Sequence, residues 1–151
     1  MASPPPPRAH DPDAPGFDYA ALIGLHTRGP LAVAERVRAG LGYRSFEVFR
    51  RHAALTAERL AALVRIPPRT LARRRTAGRL DPDESDRLVR LARVFAQALG
   101  LFEGNEEVAR RWLATPLAAL GNEPPLRAAT TDPGAREVEA LIGRLEHGIP
   151  A

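Results

Sequence analysis

The segment Asp81-Pro82-Asp83-Glu84 constrains the fold more than any other part of the chain. It puts an acid at a helix N-cap, proline at the first helical position and glutamate at the third, a near-complete capping box. Leu88, Leu91, Ala92, Phe95, Ala98, Leu99 and Phe102 follow at three- and four-residue steps. The pattern predicts a helix of about 20 residues, some 30 Å long at ~1.5 Å per residue. Its central place makes residues 81–104 a connecting helix shared by two halves.

Upstream the signals are also helical. Residues 1–16 are proline-rich and read as a disordered tail. Phe17 to His26 predicts a short helix, and Pro30 opens another with Val33, Val37 and Leu41 inward. Ser45 to Ala53 predicts a third, with Phe46 and Phe49 inward. Thr56 is an N-cap candidate ahead of Leu60, Leu63 and Val64. Arg65-Ile66-Pro67 breaks that helix, because a residue before proline is pushed out of the α region. Pro68 then opens a helix to about Ala77, giving a helix-turn-helix pattern within a domain over 17–80.

Downstream, Asn105 caps a helix over Glu106 to Ala114, and Pro116 to Leu120 reads as a short helical turn. Gly121 to Pro125 is a turn, and Asp132-Pro133 is expected to cap a last helix that ends at Gly148. Val138, Leu141, Ile142 and Leu145 face inward on it, and Trp112 is expected in the core. No strand or internal repeat is evident. The fold class is therefore all-α, with a second small domain over 105–151.

The charge is segregated. All 22 basic residues are arginine. Residues 28–93 hold 16 of them against seven acids, a net +9, whereas residues 94–151 hold five against eight, a net −3. A basic middle points to a polyanionic partner and an acidic end to a different one. Within the predicted helix from Pro68, Leu71 faces the bundle, and Arg74 and Arg75 lean to the same side. At least one of these two is expected to pair with Glu84, Asp86 or another acid. Arg69, Thr70 and Arg73 lie on the first turns, where a recognition helix meets base edges. The candidate DNA-contacting set is thus Arg69, Thr70, Arg73, Arg74, Arg75 and Arg79, with Leu71 and Glu84 structural.

Several chemistries find no support. The chain has no cysteine, so it holds no disulfide, thiol nucleophile or thiolate metal site. Its four histidines show no metal-ligand spacing, no phosphate-cradling glycine loop occurs, and no serine sits in a nucleophile elbow. No enzyme activity, cofactor or metal is expected. No apolar run reaches the ~18 residues of a membrane span, and the N-terminus lacks the pattern of a signal peptide. A cytoplasmic protein is expected.

Two groups of motifs carry a family resemblance. Thr56 to Gly104 contains Arg69, Thr70, Leu71, Arg73 and Arg74, then Leu80, Glu84, Ser85, Asp86, Arg87, Leu88 and Arg90. It resembles the Xre-like helix-turn-helix part of the Xre/MbcA/ParS antitoxins. Trp112, Leu113, Pro116, Leu120, Gly121, Pro125, Leu126, Gly134, Val138, Leu141 and Gly148 resemble that family's toxin-binding domain. Together the motifs cover roughly residues 30–151. Asn122 replaces the second glycine of the turn, Pro124 and Arg127 replace commoner residues, and Pro67 stands where a capping serine is usual.

The resemblance implies an antitoxin for a RES-domain toxin, which consumes NAD or uses it for ADP-ribosylation. It implies that the C-terminal region blocks the toxin's active site, that the helix-turn-helix represses the protein's own operon, and that the chain binds operator DNA, with homodimerisation. The toxin-facing set would be Arg136, Leu141, Arg144, Leu145, Glu146, His147, Gly148 and Ile149, with Trp112 and Gly121 structural. The alternative is a helix-turn-helix repressor whose C-terminal half serves for dimerisation.

Overall fold

The computed structural model describes residues 17–27 and 29–148; the expected disordered tail, 1–16, and Ile149 lie outside them. Helices α1 (Tyr19–Leu22), α2 (Pro30–Ala39), α3 (Tyr43–Ala53), α4 (Ala57–Leu63) and α5 (Pro68–Ala77) precede the long α6 (Pro82–Leu101). Helices α7 (Glu106–Leu113), α8 (Pro125–Ala128) and α9 (Asp132–Glu146) follow it, with a 3-10 turn at Ala118–Leu120. Among the described residues there is no strand, only the isolated bridges Gly42–Arg79 and Leu117–Glu123.

Proline and capping signals explain most boundaries. Thr56 Oγ1 accepts from Arg59 N at 3.1 Å, and Asn105 Oδ1 accepts from Val108 N at 3.1 Å. Pro68 and Pro82 occupy first turns, where their missing N–H costs nothing. Three expectations need correction. The region Phe17 to His26 yields one turn only, α1, because Gly24 adopts φ +68° straight after it. Thr131, not Asp132, caps α9, since its hydroxyl accepts from Gly134 N at 3.2 Å. The segment read as turn continues into the short α8 at Pro125.

Helix α6 runs through the core and is shared by the helices before and after it. It touches α1, α2, α3, α7 and α9, and Leu88, Leu91, Ala92, Val94, Phe95, Ala98 and Leu99 along it are buried. Phe49 of α3 meets Phe95 edge-to-face at 5.9 Å. Helix α3 also reaches α7: His52 Nδ1 lies 2.8 Å from Glu106 Oε1, and Arg110 donates to the His52 carbonyl at 2.9 Å. Two glycines permit close approaches. Gly40 has φ +83°, and a Cβ there would strike the Leu80 carbonyl. A Cβ on Gly134 would strike the Ala128 carbonyl, so this glycine lets α9 pack under α8.

The start of α6 is a dense polar node. Asp81 Oδ1 accepts from Glu84 N at 2.8 Å, while Asp81 N donates to Glu84 Oε1 at 3.0 Å. Arg74 Nε donates to Glu84 Oε1 at 2.7 Å, and its Nη2 reaches Asp81 Oδ2 at 3.2 Å and Glu84 Oε2 at 3.3 Å. Ser85 Oγ donates to the Asp81 carbonyl at 2.7 Å and accepts from Leu41 N at 2.8 Å. Arg87 Nε donates to the carbonyl of Val64, the α4 C-cap, at 2.6 Å. The Glu-Ser-Asp-Arg sequence thus ties α6 to α5, to the α2–α3 junction and to the end of α4. Asp86 faces solvent and, among the described residues, pairs only with Arg90, at 3.4 Å.

Helix α5 depends on that node, because Leu71 is its single buried side chain. Burying one leucine contributes only about 2 kcal/mol. The Glu84 carboxylate is 6% exposed, so removing its cation leaves a buried acceptor uncompensated. Arg74→Ala is expected to cost about 2 kcal/mol, lowering Tm by roughly 6 °C in a thermal melt followed by circular dichroism. An unchanged Tm would contradict the structural role.

Candidate functional site

The helix-turn-helix is α4, a four-residue turn (64–67) and α5. Within the turn Arg65 adopts φ +56° and Ile66 is buried, so the chain reverses around an apolar anchor. Pro67 provides the N-cap of α5 without a side-chain hydrogen bond. The first amides of α5 therefore lack a side-chain acceptor, as at a helix end able to take an anion.

The six candidate nucleic-acid residues divide into two groups. Arg69 is exposed and has no ion pair among the described residues. Arg73 is exposed and donates to Thr70 Oγ1 at 3.3 Å, on the same face of α5. These three side chains present a polar, cationic edge over the first two turns. The other three are committed within the fold. Arg74 is locked to Glu84 and Asp81, and the Glu84 hydrogen bond raises its pKa above the ordinary value. Arg75 Nε donates to Tyr43 Oη at 3.3 Å, which raises its pKa, and its guanidinium lies 5.8 Å from the Tyr43 ring centroid. Tyr43 Oη donates onward to Glu47, whose carboxyl a hydrogen bond from Arg50 holds below its usual range. Arg79 donates to the carbonyls of Ala39 and Gly40 at 3.0 and 2.8 Å, closing the end of α2. Arg74, Arg75 and Arg79 thus serve as packing and capping groups in the fold, a role the sequence predicts for at least one of Arg74 and Arg75 only. Arg65 is a further exposed cation without an ion pair among the described residues, and it borders a hollow lined by Leu71, Ala72 and Arg75. Its place next to the start of α5 was the signal; the sequence reading used it only as a helix break.

The C-terminal candidates also divide. Leu141 is 1% exposed and packs α9, so it is corrected from partner contact to buried support. Arg136 is exposed and pairs with Asp132 at 3.0 Å, one turn back on the same helix. Arg144, Leu145 and Glu146 are half-buried along the last turn of α9, and His147 and Gly148 are exposed at its end. Gly121 and Asn122 take φ +66° and +64°, so the tight turn holds with asparagine in place of a second glycine. Trp112 is half-buried instead of central, its ring tilted against Phe102 at 6.1 Å. Its i,i+1 neighbour Leu113 takes the fully buried position.

Among the described residues no group of three or more histidine or acidic side chains could hold a metal, and no helix is long and apolar enough to cross a membrane. Residues 32–93 match the antitoxin Xre-like helix-turn-helix domain, and residues 97–148 match the antitoxin Xre/MbcA/ParS C-terminal toxin-binding domain. The boundary between the two falls inside α6. The chain is 36% identical to Antitoxin Xre of Yersinia enterocolitica serotype O:8 over 146 residues, covering 94% of this chain and 98% of that protein. It is 42% identical to Antitoxin Xre of Photorhabdus laumondii over 72 residues, 48% of this chain and 49% of the relative. A third Antitoxin Xre, from Pseudomonas putida, is 37% identical over 84 residues, 55% of this chain and 52% of the relative. A helix-turn-helix and a toxin-binding domain joined through one helix, matched along nearly the whole chain, place this protein in the Xre/MbcA/ParS family of antitoxins, non-enzymatic regulators.

Proposed function

We infer that the protein neutralises a RES-domain toxin in the cytoplasm by covering the toxin's active site with its C-terminal end, and that it represses its own operon as a homodimer. The observation that carries this reading is the toxin-binding domain match ending at an exposed, polar helix terminus. Arg144, Glu146 and His147 there offer both signs of charge beside Gly148. A cleft that holds a dinucleotide diphosphate carries cationic groups, and a carboxylate such as Glu146 suits them. Arg144 would engage carboxylates on the toxin.

On the DNA side, Arg69, Thr70 and Arg73 would face the operator. A two-fold dimer would place two α5 helices in successive major grooves, about 34 Å apart. The alternative, a repressor whose C-terminal half only dimerises, predicts no protection against a toxin.

The informative truncation follows from burial. Removing residues 141–151 would also remove the buried Leu141 and Ile142 and damage the fold. Removing residues 147–151 leaves α9 complete. That shorter deletion is expected to abolish protection in a growth assay with the toxin from the same operon, at unchanged Tm. Full protection would contradict active-site covering.

The double variant Arg69→Ala, Arg73→Ala should bind operator DNA more weakly and lower the salt slope by about 2. Its Tm should match that of the parent protein, unlike Arg74→Ala. Titrations at several salt concentrations check this, and an unchanged slope would remove both residues from the interface.

A further inference from the structure

A groove of about 430 Å³ runs between α6 and α9 on the toxin-binding half. Ala96 and Gly100 of α6 and Ile142 and Gly143 of α9 line it, so its walls are small and apolar. Gly100 and Gly143 keep it open: a Cβ on Gly143 would meet nothing within 4 Å.

The polar groups of this groove are unbalanced. Arg93, the one cation lining it among the described residues, is paired through Nε with Glu139 at 2.7 Å. Gln97 lines the groove, and its Oε1 is buried without a hydrogen-bond donor. Glu146 lies near Gly100 and has no ion pair among the described residues. A buried amide oxygen without a donor costs stability, and native structures rarely leave one so. Among the described residues the groove therefore holds an acceptor without a donor and a carboxylate without an ion pair beside an apolar slot.

An arginine or lysine side chain has the complementary form. Its methylenes fit the slot and its N–H groups pair with the Glu146 carboxylate, while a turn of the buried Gln97 amide toward the groove brings Oε1 within their reach. We propose that the α6–α9 groove receives a basic side chain of the toxin, a contact that continues from the C-terminal end covering the active site and shares Glu146 with it. The inference rests on the toxin-neutralising reading and adds to it a site of stated chemistry. The chain's own N-terminal segment is the poorer occupant. Residues 1–16 leave from Phe17 on the groove's rim, but carry one arginine against two aspartates, a net charge of the wrong sign.

The test measures binding of full-length variants to the purified toxin encoded in the same operon, with Tm and operator binding as controls of folding. Gln97→Leu removes the orphaned acceptor at similar volume. It is expected to keep or raise Tm yet weaken toxin binding about tenfold, the worth of one charge-assisted hydrogen bond. Gly143→Leu fills the slot from open space and should weaken binding as much, at unchanged Tm. Glu146→Arg reverses the charge and should weaken binding further. Wild-type binding that none of the three variants alters would overturn the groove alone, and tighter binding by Glu146→Arg would overturn a basic occupant. If deletion of residues 1–16 tightens toxin binding or lowers Tm, the tail is the occupant and the proposal falls. No binding by the unsubstituted protein would overturn the neutralising reading itself, and the groove proposal with it.

Discussion

The Glu84 carboxylate is the constraint on which the rest of the structure leans. It closes the capping box of α6, receives the Arg74 guanidinium from α5 and is almost wholly buried in doing so. Helix α5 has one buried leucine and little else to fix its angle. The Arg74 pair supplies that angle, and with it the direction in which Arg69, Thr70 and Arg73 point. The same helix start positions α6, against which α9 and the toxin-binding half pack. One carboxylate thus sets the geometry of both functional ends.

A second theme is the use of arginine on carbonyls at helix C-termini. Arg79 closes α2, Arg87 closes α4, and Arg110 reaches the His52 carbonyl near the end of α3. Arg50 does the same for Leu55, just past α3. Each satisfies backbone acceptors that a helix end leaves open, and each places a cation at the negative end of a dipole. A chain with no lysine and a net charge of +4 therefore has fewer arginines available for DNA than its composition implies.

This is also where legibility in the sequence stopped. Boundaries set by near neighbours were readable: Pro68 to Ala77 and Pro82 to Leu101 follow from proline, glycine and capping residues a few positions apart. The partner of Arg74 was readable in kind, because helical spacing forced it toward the bundle. The Arg79 and Arg75 contacts were not, since Ala39, Gly40 and Tyr43 lie more than 30 positions away in sequence. Leu141 lies inside, as its 3/4 spacing indicated; the resemblance also put it in the toxin-facing set, and spacing alone does not separate a helix's own core from a partner's surface. Trp112 was placed in the core on its size, and Leu113 beside it took that position. The α6–α9 groove had no local signal at all, as its walls come from segments some 45 positions apart.

The central claim is a division of labour: the start of α5 faces DNA, and the end of α9 with the adjoining stretch of α6 faces the toxin. Hydrogen–deuterium exchange on the full chain, with toxin and with operator DNA in turn, tests it most directly. The account predicts that toxin slows exchange over residues 139–148 and around Gln97 while leaving Pro68–Ala77 unchanged, and that operator DNA does the reverse. Protection of α5 by the toxin, with α9 unaffected, would contradict it.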